Sequence, residues 1–195
     1  MRLPLFAATL LLAAAALPAH AQSTGEHLLA VYPSDWHYAP LASRNPNVQM
    51  TRLLPPGQSP QNYSEAIVVE RYSGSSQSAQ DFVGTLIQVG RQDCAGFTGD
   101  PAKEANLNGY TAVVARYGCT RGTRTGKSGM TMVIAISGNE ALHVIQTMWL
   151  GPPVAANQAV PIPDEVLHRW KTLASHVVLC DSRDPNHPCP AGAVQ

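Results

Sequence analysis

Two β-rich runs, residues 130–136 and 142–149, are joined by only five residues, which include Ser-Gly-Asn-Glu at positions 137–140. A short connection rich in turn-forming residues is typical of a β-hairpin. Parallel strands would instead need a crossover of about a dozen residues or more. We therefore expect antiparallel sheet in this half of the chain, and the remaining elements must be compatible with it.

Other segments show the alternation or the β-branched content that is typical of strands. They are residues 27–32, 48–54, 66–72 and 110–117. Because residues 48–54 run into Pro55, Pro56 and Gly57, we predict that this strand lies at an edge of the sheet. The segment 66–72 is predicted to be more central.

After residue 78 the apolar pattern changes to a period of about 3.6 residues, which indicates an amphipathic helix. Ser78 is predicted to cap this helix, with Asp81 at the third helical position as in a capping box. The helix is expected to end near Asp93.

A second amphipathic helix is predicted to follow Pro163, which suits the first turn of a helix. Asp164 and Glu165 would interact favourably with the helix dipole there. The buried stripe is predicted to comprise Val166, Leu167, Trp170, Leu173, Ala174 and Val177.

The order is therefore three strands, a helix, three strands and a helix. Strands joined directly to strands favour an antiparallel sheet, and the helices must pack on it to bury their apolar stripes. The sequence predicts an α+β sandwich, an antiparallel sheet of about six strands packed by two helices. We expect one domain over residues 22–180 and a polar, proline-rich tail over residues 181–195.

The turn at residues 31–36, Val-Tyr-Pro-Ser-Asp-Trp, adds a resemblance to this pattern. Together with the element order and a final helix carrying Trp170, it resembles the Mog1/PsbP-like fold. The chain also resembles small uncharacterised bacterial exported proteins. The resemblance implies a protein that binds other proteins or assists assembly rather than one that catalyses a reaction.

Residues 1–21 have the pattern of a secretory signal peptide. Arg2 is followed by a Leu- and Ala-rich run of about 13 residues, too short for the roughly 20 residues that span a bilayer. Ala19-His20-Ala21 forms a small-x-small cleavage site. We expect cleavage after Ala21, no membrane span in the mature chain, and a periplasmic or secreted location.

The four cysteines, Cys94, Cys119, Cys180 and Cys189, all lie in the predicted mature chain. In an exported protein an even number of cysteines favours disulfides, and four cysteines allow three pairings. We favour Cys94 with Cys119 and Cys180 with Cys189, because each pair closes a short loop. A four-cysteine zinc site is the alternative, but no close Cys-x-x-Cys pair supports it.

Arg116, Arg121, Arg124 and Lys127 form a basic cluster with no acidic residue in the same stretch. Arginine can hold carboxylates or phosphates in bidentate fashion, so these residues are the candidate binding surface. The stretch Gly122–Ser128 resembles a phosphate-binding loop, but its spacing is one residue short and no helix is predicted to follow it. A solvated basic loop is the simpler alternative.

No serine, cysteine or paired-carboxylate motif indicates catalysis, and we expect no cofactor and no metal. Lys and Arg number 13, as do Asp and Glu, so net charge gives no support for nucleic-acid binding. The first hypothesis is a non-enzymatic module that binds another envelope or extracellular protein. The alternative is a carrier with a small-ligand cleft between the sheet and the helices, and an enzyme is less favoured.

Large aromatic side chains offer one further hint of such a cleft. Trp36, Tyr38, Trp149 and Trp170 have the size and amphipathic character to line an apolar pocket. Ordinary core packing is the simpler interpretation of Trp149 and Trp170.

Overall fold

The computed structural model describes residues 25–192, so the predicted signal peptide lies outside the described residues. Within this range the chain forms ten strands and two helices. In chain order they are β1 Glu26–Leu29, β2 His37–Pro40, β3 Val48–Leu54, β4 Glu65–Ser73, α1 Ala79–Gln92, β5 Phe97–Gly99, β6 Lys103–Leu107, β7 Tyr110–Cys119, β8 Ser128–Ser137, β9 Ala141–Gly151, α2 Asp164–Ser175 and β10 Val178–Asp181.

The main sheet has eight strands in the order β2-β3-β4-β9-β8-β7-β5, with β6 also pairing with β7. The pairings within it are antiparallel. β1 and β10 form a separate two-stranded antiparallel ribbon. The α+β class predicted from the sequence is confirmed, with ten strands in place of about six.

The predicted hairpin is the β8–β9 pair. Ser137 lies opposite Leu142 in the register, and the Gly138 amide donates to the Ala141 carbonyl at 3.0 Å. The two strands run through the centre of the sheet, where their branched side chains are buried on both faces.

The sheet is covered on both faces, which gives three layers. On one face α1 packs Phe82 and Val83 against a cluster that includes Val113, Val133 and Val144. The other face is covered by α2, by the β1–β10 ribbon and by the turn after β1. Residues buried in that second core include Leu53, Ile67, Ile134, Ile136, Ile145, Leu173 and Leu179.

Helix α1 begins and ends where the sequence predicts. The Asp81 amide donates to Ser78 Oγ at 3.0 Å, and the Ser78 hydroxyl donates to the Asp81 carboxylate at 2.7 Å. Asp93 is the C-terminal cap. Local side-chain to backbone hydrogen bonds at the first turn fix this start without help from distant residues.

Helix α2 differs slightly from its prediction. Pro163 is the N-terminal cap rather than a residue of the first turn, and the helix ends at Ser175. Val166, Trp170 and Leu173 are buried as predicted, whereas Val177 is buried outside the helix. The chain then turns into β10, a strand that the sequence analysis did not predict.

The strand predictions need three corrections. The first predicted strand, residues 27–32, is shorter in the structure and belongs to the ribbon, because its partner β10 comes from the far end of the chain. β3 is not an edge strand, since the unpredicted β2 pairs with it and places His37 opposite Leu54. The short strands β5 and β6 were also not predicted, and both pair with the long strand β7.

The predicted tail is attached to the domain over its described part. Its first residue, Asp181, is buried and ends β10. The ring of His187 stacks on Tyr110 with a centroid distance of 3.9 Å, and Asn108 Nδ2 donates to the Pro188 carbonyl at 3.2 Å. None of the helices within residues 25–192 is long and apolar enough to cross a membrane.

Candidate functional site

A cavity of about 320 Å³ lies between the sheet, α2 and the turn that follows β1. Ile67 of β4 and Thr147 of β9, which are opposite each other in the register, form its floor. α2 contributes Trp170 and Leu173, and the turn contributes Trp36. This volume is at the lower end of the range of about 300–1,000 Å³ for small-molecule sites.

The turn at residues 31–36 forms one wall of the cavity. It is closed by a hydrogen bond of 3.2 Å from the Trp36 amide to the Pro33 carbonyl. Val31, Tyr32, Pro33 and Trp36 all line the cavity. The segment that carries the resemblance noted in the sequence is therefore also part of the candidate site.

The four aromatic residues considered in the sequence have different environments. Trp36 and Trp170 line the cavity. Trp149 packs with Val160, Val166 and Trp170 in one apolar cluster, as the packing interpretation predicted, whereas Tyr38 is 66% exposed on β2.

Polar groups lie at one end of this apolar cavity. Arg169 of α2 pairs with Glu65 of β4, with 2.5 Å between Nη2 and Oε1. Two further atoms of this pair, Glu65 Oε2 and Arg169 Nε, are buried and have no hydrogen-bond partner among residues 25–192. The same holds for Thr147 Oγ1 on β9. The cavity thus combines an apolar wall with convergent polar atoms, which is the usual composition of a ligand site.

Tyr32 adds no charge to this site at neutral pH. Its burial, together with the nearby Tyr38, raises the pKa of the Tyr32 phenol to about 12. The charges of the polar end come from the Glu65–Arg169 pair, which is neutral as a whole.

The ion pair also borders a second cleft, of about 390 Å³. Pro33, Trp36, Glu65 and Arg169 line both cavities. On the far side the lining changes to Asp35, Pro55 and Pro56. The ion pair therefore stands between an apolar cavity and a more open, polar cleft.

The basic residues predicted as a binding surface are divided by the fold. Arg116 pairs with Asp100, with 2.7 Å between Nη2 and Oδ2. Arg124 pairs with Asp93 at the end of α1. The acidic partners come from other parts of the chain, which is why the stretch itself gave no sign of them.

Arg121 and Lys127 are exposed, and neither forms an ion pair within the described residues. Arg121 borders a shallow cleft of about 400 Å³ with Thr120 and Ala156. Side chains alternate between the two faces along a strand, and Ala115 and Tyr117 pack toward α1. Arg116, which lies between them on β7, is therefore on the face that α2 covers. The structure therefore leaves two unpaired cations in this loop, rather than a cluster of four.

Both disulfides have the pairing favoured from the sequence, Cys94 with Cys119 and Cys180 with Cys189. The first joins the loop after α1 to the end of β7. The second joins β10 to the tail. Disulfides persist in oxidising compartments, so the pair of bonds fits a protein that works outside the cytosol.

Nothing in residues 25–192 brings together three His, Cys, Asp or Glu side chains with the geometry of a metal site. His187 in the tail places Nδ1 2.8 Å from the Asn108 carbonyl oxygen. That contact, with the ring stacked on Tyr110, gives His187 a packing role.

A buried Glu26–His143 pair was missed by the sequence analysis. Oε2 of Glu26 lies 3.3 Å from Nε2 of His143 and 3.0 Å from the donating Glu140 amide. Burial lowers the pKa of His143, and the neighbouring Glu26 carboxylate opposes this effect only in part. The residues are 117 positions apart, so no local signal in the sequence pointed to their contact.

No family model matches the sequence, and no curated protein matches it. Solved structures of similar fold include the Ran-binding protein Mog1p of Saccharomyces cerevisiae, with a TM-score of 0.50, 11% identity and coverage of 84% of this chain and 98% of Mog1p. LpqN of Mycobacterium tuberculosis, involved in cell envelope biogenesis, has a TM-score of 0.48 and 16% identity over 82% of this chain and 87% of LpqN.

Cyanobacterial PsbP from Synechocystis has a TM-score of 0.46 and 12% identity, over 84% of this chain and 97% of that protein. At such identities a structural likeness concerns the fold and not the function. The antiparallel sheet, its two covering helices and the match to Mog1p over most of both chains show that this protein has the Mog1/PsbP-like fold.

Proposed function

We propose that this protein is a non-enzymatic binding module of the periplasm or the extracellular space, and that it takes a small, largely apolar ligand into the cleft between the sheet and α2. The observation that carries this proposal is the cavity of about 320 Å³ lined by Trp36, Ile67, Trp170 and Leu173. An apolar molecule that enters it gains the free energy of removing apolar surface from water, roughly 25 cal/mol per Å².

The position of the cavity supports a binding role over a packing defect. It lies where three separate pieces of the chain meet, which are the sheet, α2 and the turn that follows β1. Its mouth is bordered by exposed residues of α2, including His168 and Thr172. A ligand therefore has a route into the cavity from the surface.

The test uses a small apolar fluorescent probe, 1-aminonaphthalene, with the mature oxidised protein. We expect probe fluorescence to rise on binding and the melting temperature to rise with probe concentration, since a ligand that binds only the folded state stabilises it. Thr172→Phe places a ring at the mouth of the cavity and is expected to reduce probe affinity about tenfold.

Lys171→Phe is the matched control, because Lys171 is an exposed neighbour on the same helix that does not line the cavity. Equal probe binding by the two variants would contradict a site in this cleft. Circular dichroism of both variants shows whether the fold is kept.

A second candidate function is the binding of an acidic segment of another envelope or extracellular protein by the basic loop. It is favoured by the exposure of Arg121 and Lys127 and by the shallow cleft beside Arg121, where the buried Thr120 Oγ1 has no partner within the described residues. Arg116 and Arg124 would contribute less, because each is already paired with a carboxylate.

This candidate is tested with immobilised mature protein and native envelope extract at matched salt. Arg121→Ala with Lys127→Ala is expected to abolish capture of a partner, and raised salt to weaken it, since exposed charges are screened. Arg44→Ala with Lys171→Ala removes the same charge elsewhere on the surface and is the control. Retention of the partner by the loop variant would argue against this surface.

A further inference from the structure

We infer that the polar end of the cleft selects a neutral ligand group that donates and accepts hydrogen bonds at once, such as a primary amide on a short hydrocarbon. The inference rests on the proposed function of the cleft and concerns the class of ligand it takes. It is carried by Glu65, Arg169 and Thr147, which all line the cavity and each have a buried polar atom without a partner among residues 25–192.

The unpaired atoms at this end differ in what they can bond. Glu65 Oε2 can only accept a hydrogen bond and Arg169 Nε can only donate one, whereas the Thr147 hydroxyl can do either. All three atoms are buried and have no partner within the described residues. Because buried polar atoms are almost always paired, an occupant of the cavity is expected to satisfy them.

The three side chains are close enough to act on one group. Glu65 and Ile67 lie on the same face of β4, and Thr147 is directly opposite Ile67 on β9. Glu65 and Thr147 are therefore diagonal neighbours on the sheet, about 7–8 Å apart at the backbone. Arg169 reaches Glu65 from α2 above them.

The ion pair disfavours a charged ligand. A carboxylate placed here would meet the Glu65 carboxylate, and an ammonium group would meet the Arg169 guanidinium. Either ion would lose its hydration, and the opposite charge that it meets would already be neutralised within the ion pair. A neutral group with both a donor and an acceptor avoids this cost and can pair with Arg169 Nε and Glu65 Oε2 together.

The size of the cavity limits the rest of the ligand. At about 30 Å³ for each group of water size, a volume of about 320 Å³ holds about ten non-hydrogen atoms. Octanamide has about that number, with a hydrocarbon chain for the apolar wall and an amide for the polar end. Octanoate and octylamine have the same number of carbon atoms but carry a carboxylate or an ammonium group in place of the amide.

Competition of these three compounds with 1-aminonaphthalene at pH 7 tests the inference. We expect octanamide to bind at least about tenfold more tightly than either ion, because a site built from paired polar atoms discriminates strongly against an unmatched group. Glu65→Gln leaves Arg169 uncompensated and is expected to shift the preference toward octanoate. Arg169→Gln leaves Glu65 uncompensated and should shift it toward octylamine.

Glu104→Gln, on the exposed strand β6, is the control for loss of a carboxylate and should leave the ranking unchanged. Thr147→Val is expected to weaken octanamide about threefold, because it removes a polar atom available to the amide. Binding of the three compounds within about threefold of one another would overturn the inference and leave the cleft proposal standing.

Probe binding that is unaffected by Thr172→Phe would instead overturn the cleft proposal itself. If Glu65→Gln and Arg169→Gln fold but leave the wild-type ranking of octanamide, octanoate and octylamine unchanged, selection by the ion pair is wrong. If either variant fails to fold, the ranking of octanamide, octanoate and octylamine with the wild-type protein alone decides the inference.

Discussion

The two faces of the sheet are covered in different ways. On one face a single helix of 14 residues, α1, lies across the central strands. Its buried side chains, Phe82 and Val83, pack on apolar residues of β7, β8 and β9. Because one rigid element supplies the cover, its side chains can interdigitate with the sheet, fully at Phe82 and Val83 and in part at Leu86 and Ile87.

The other face is covered by three separate pieces, which are α2, the β1–β10 ribbon and the turn at residues 31–36. The cavity with the Glu65–Arg169 pair lies where α2 meets the turn. A further cleft on this face, of about 410 Å³, lies beside the ribbon and is lined by residues that include Glu26, Arg71 and His143. Junctions between separate pieces are harder to fill than the contact of one helix with a sheet.

Buried polar groups follow the same division. Glu70, on the α1 face, is buried but accepts hydrogen bonds from the Tyr72 hydroxyl at 2.8 Å and from Gln146 at 3.3 Å. Thr147, on the α2 face, is fully buried and has no partner within the described residues. The comparison indicates that clefts able to bind a ligand form on the face where several separate elements, rather than one helix, cover the sheet.

The largest expected effect is on the α1 face. Phe82→Ala should lower the free energy of unfolding by about 3–5 kcal/mol, because it leaves a void in a continuous core. The Phe82 ring is 8% exposed and makes an edge-on contact with Tyr72 at a centroid distance of 5.2 Å. The measurement is urea unfolding followed by circular dichroism.

Val89→Ala is the control on the same helix, since Val89 is 48% exposed. It should change the free energy of unfolding by no more than about 0.5 kcal/mol. A loss below about 1 kcal/mol for Phe82→Ala would show that the α1 face is not closely packed.

The two disulfides extend the comparison, because one lies beside α1 and the other beside the β1–β10 ribbon on the opposite face. Cys94–Cys119 lies at the end of α1 and spans 25 residues, whereas Cys180–Cys189 holds the tail beside the ribbon and spans nine. Replacing either pair by alanine should cost about 2–4 kcal/mol, and the longer loop about 1 kcal/mol more. Urea unfolding of the two double variants measures both costs.

A larger loss from Cys180→Ala with Cys189→Ala would contradict this order. It would mean that the ribbon depends on its disulfide for more than loop entropy. Thiol counting on the denatured wild type should find no free cysteine, as expected from the two bonds.

The Glu26–His143 pair predicts a dependence of stability on pH. Burial lowers the pKa of His143 in the folded protein, whereas in the unfolded chain the imidazole has its ordinary pKa near 6.5. Below about pH 6.5 the unfolded state therefore binds more protons than the folded state, and stability falls with falling pH. Above that pH the contribution of His143 is complete.

Urea unfolding at pH 7.5 and 5.5 measures this effect. The wild type should lose more free energy of unfolding between these values than His143→Gln, which has no titrating group at this position. An equal loss in both proteins would assign the dependence to other groups.

The smallest expected effect comes from exchanging threonine and valine, which have nearly the same shape, at one position on each face of the sheet. Thr147→Val should be neutral or slightly stabilising, within about 1 kcal/mol, since the hydroxyl it removes has no protein partner. Val133→Thr, at a fully buried position facing α1, should cost about 1–3 kcal/mol. Equal costs for the two exchanges would indicate that Thr147 is paired by an ordered water in the free protein.

Local patterns were enough to predict the elements that are specified locally. Ser78 and Asp81 determine the start of α1 through hydrogen bonds within one turn, and the short turn at residues 137–140 determines the hairpin. The long strands β4, β7, β8 and β9 carry enough branched residues to be recognised. The resemblance to the Mog1/PsbP-like fold followed from their order.

The candidate site could be predicted only in outline. A cleft between the sheet and a helix was an alternative, and Trp36 and Trp170 were among the aromatic residues considered for it. Glu65 and Arg169 were not recognised, because they are 104 positions apart and neither belongs to a motif. The acidic partners of Arg116 and Arg124 were missed for the same reason.

The sequence by itself determined the fold class, the two helices and the strands that form the middle of the sheet, and it favoured the cysteine pairing that the structure shows. These depend on periodicity, capping and short loops, which act between residues close in the chain. Only the tertiary structure decided the β1–β10 ribbon, the edge strand β2, the division of the basic cluster and the cavity. Each of these depends on contacts between distant segments, and such contacts leave no periodic trace in either segment alone.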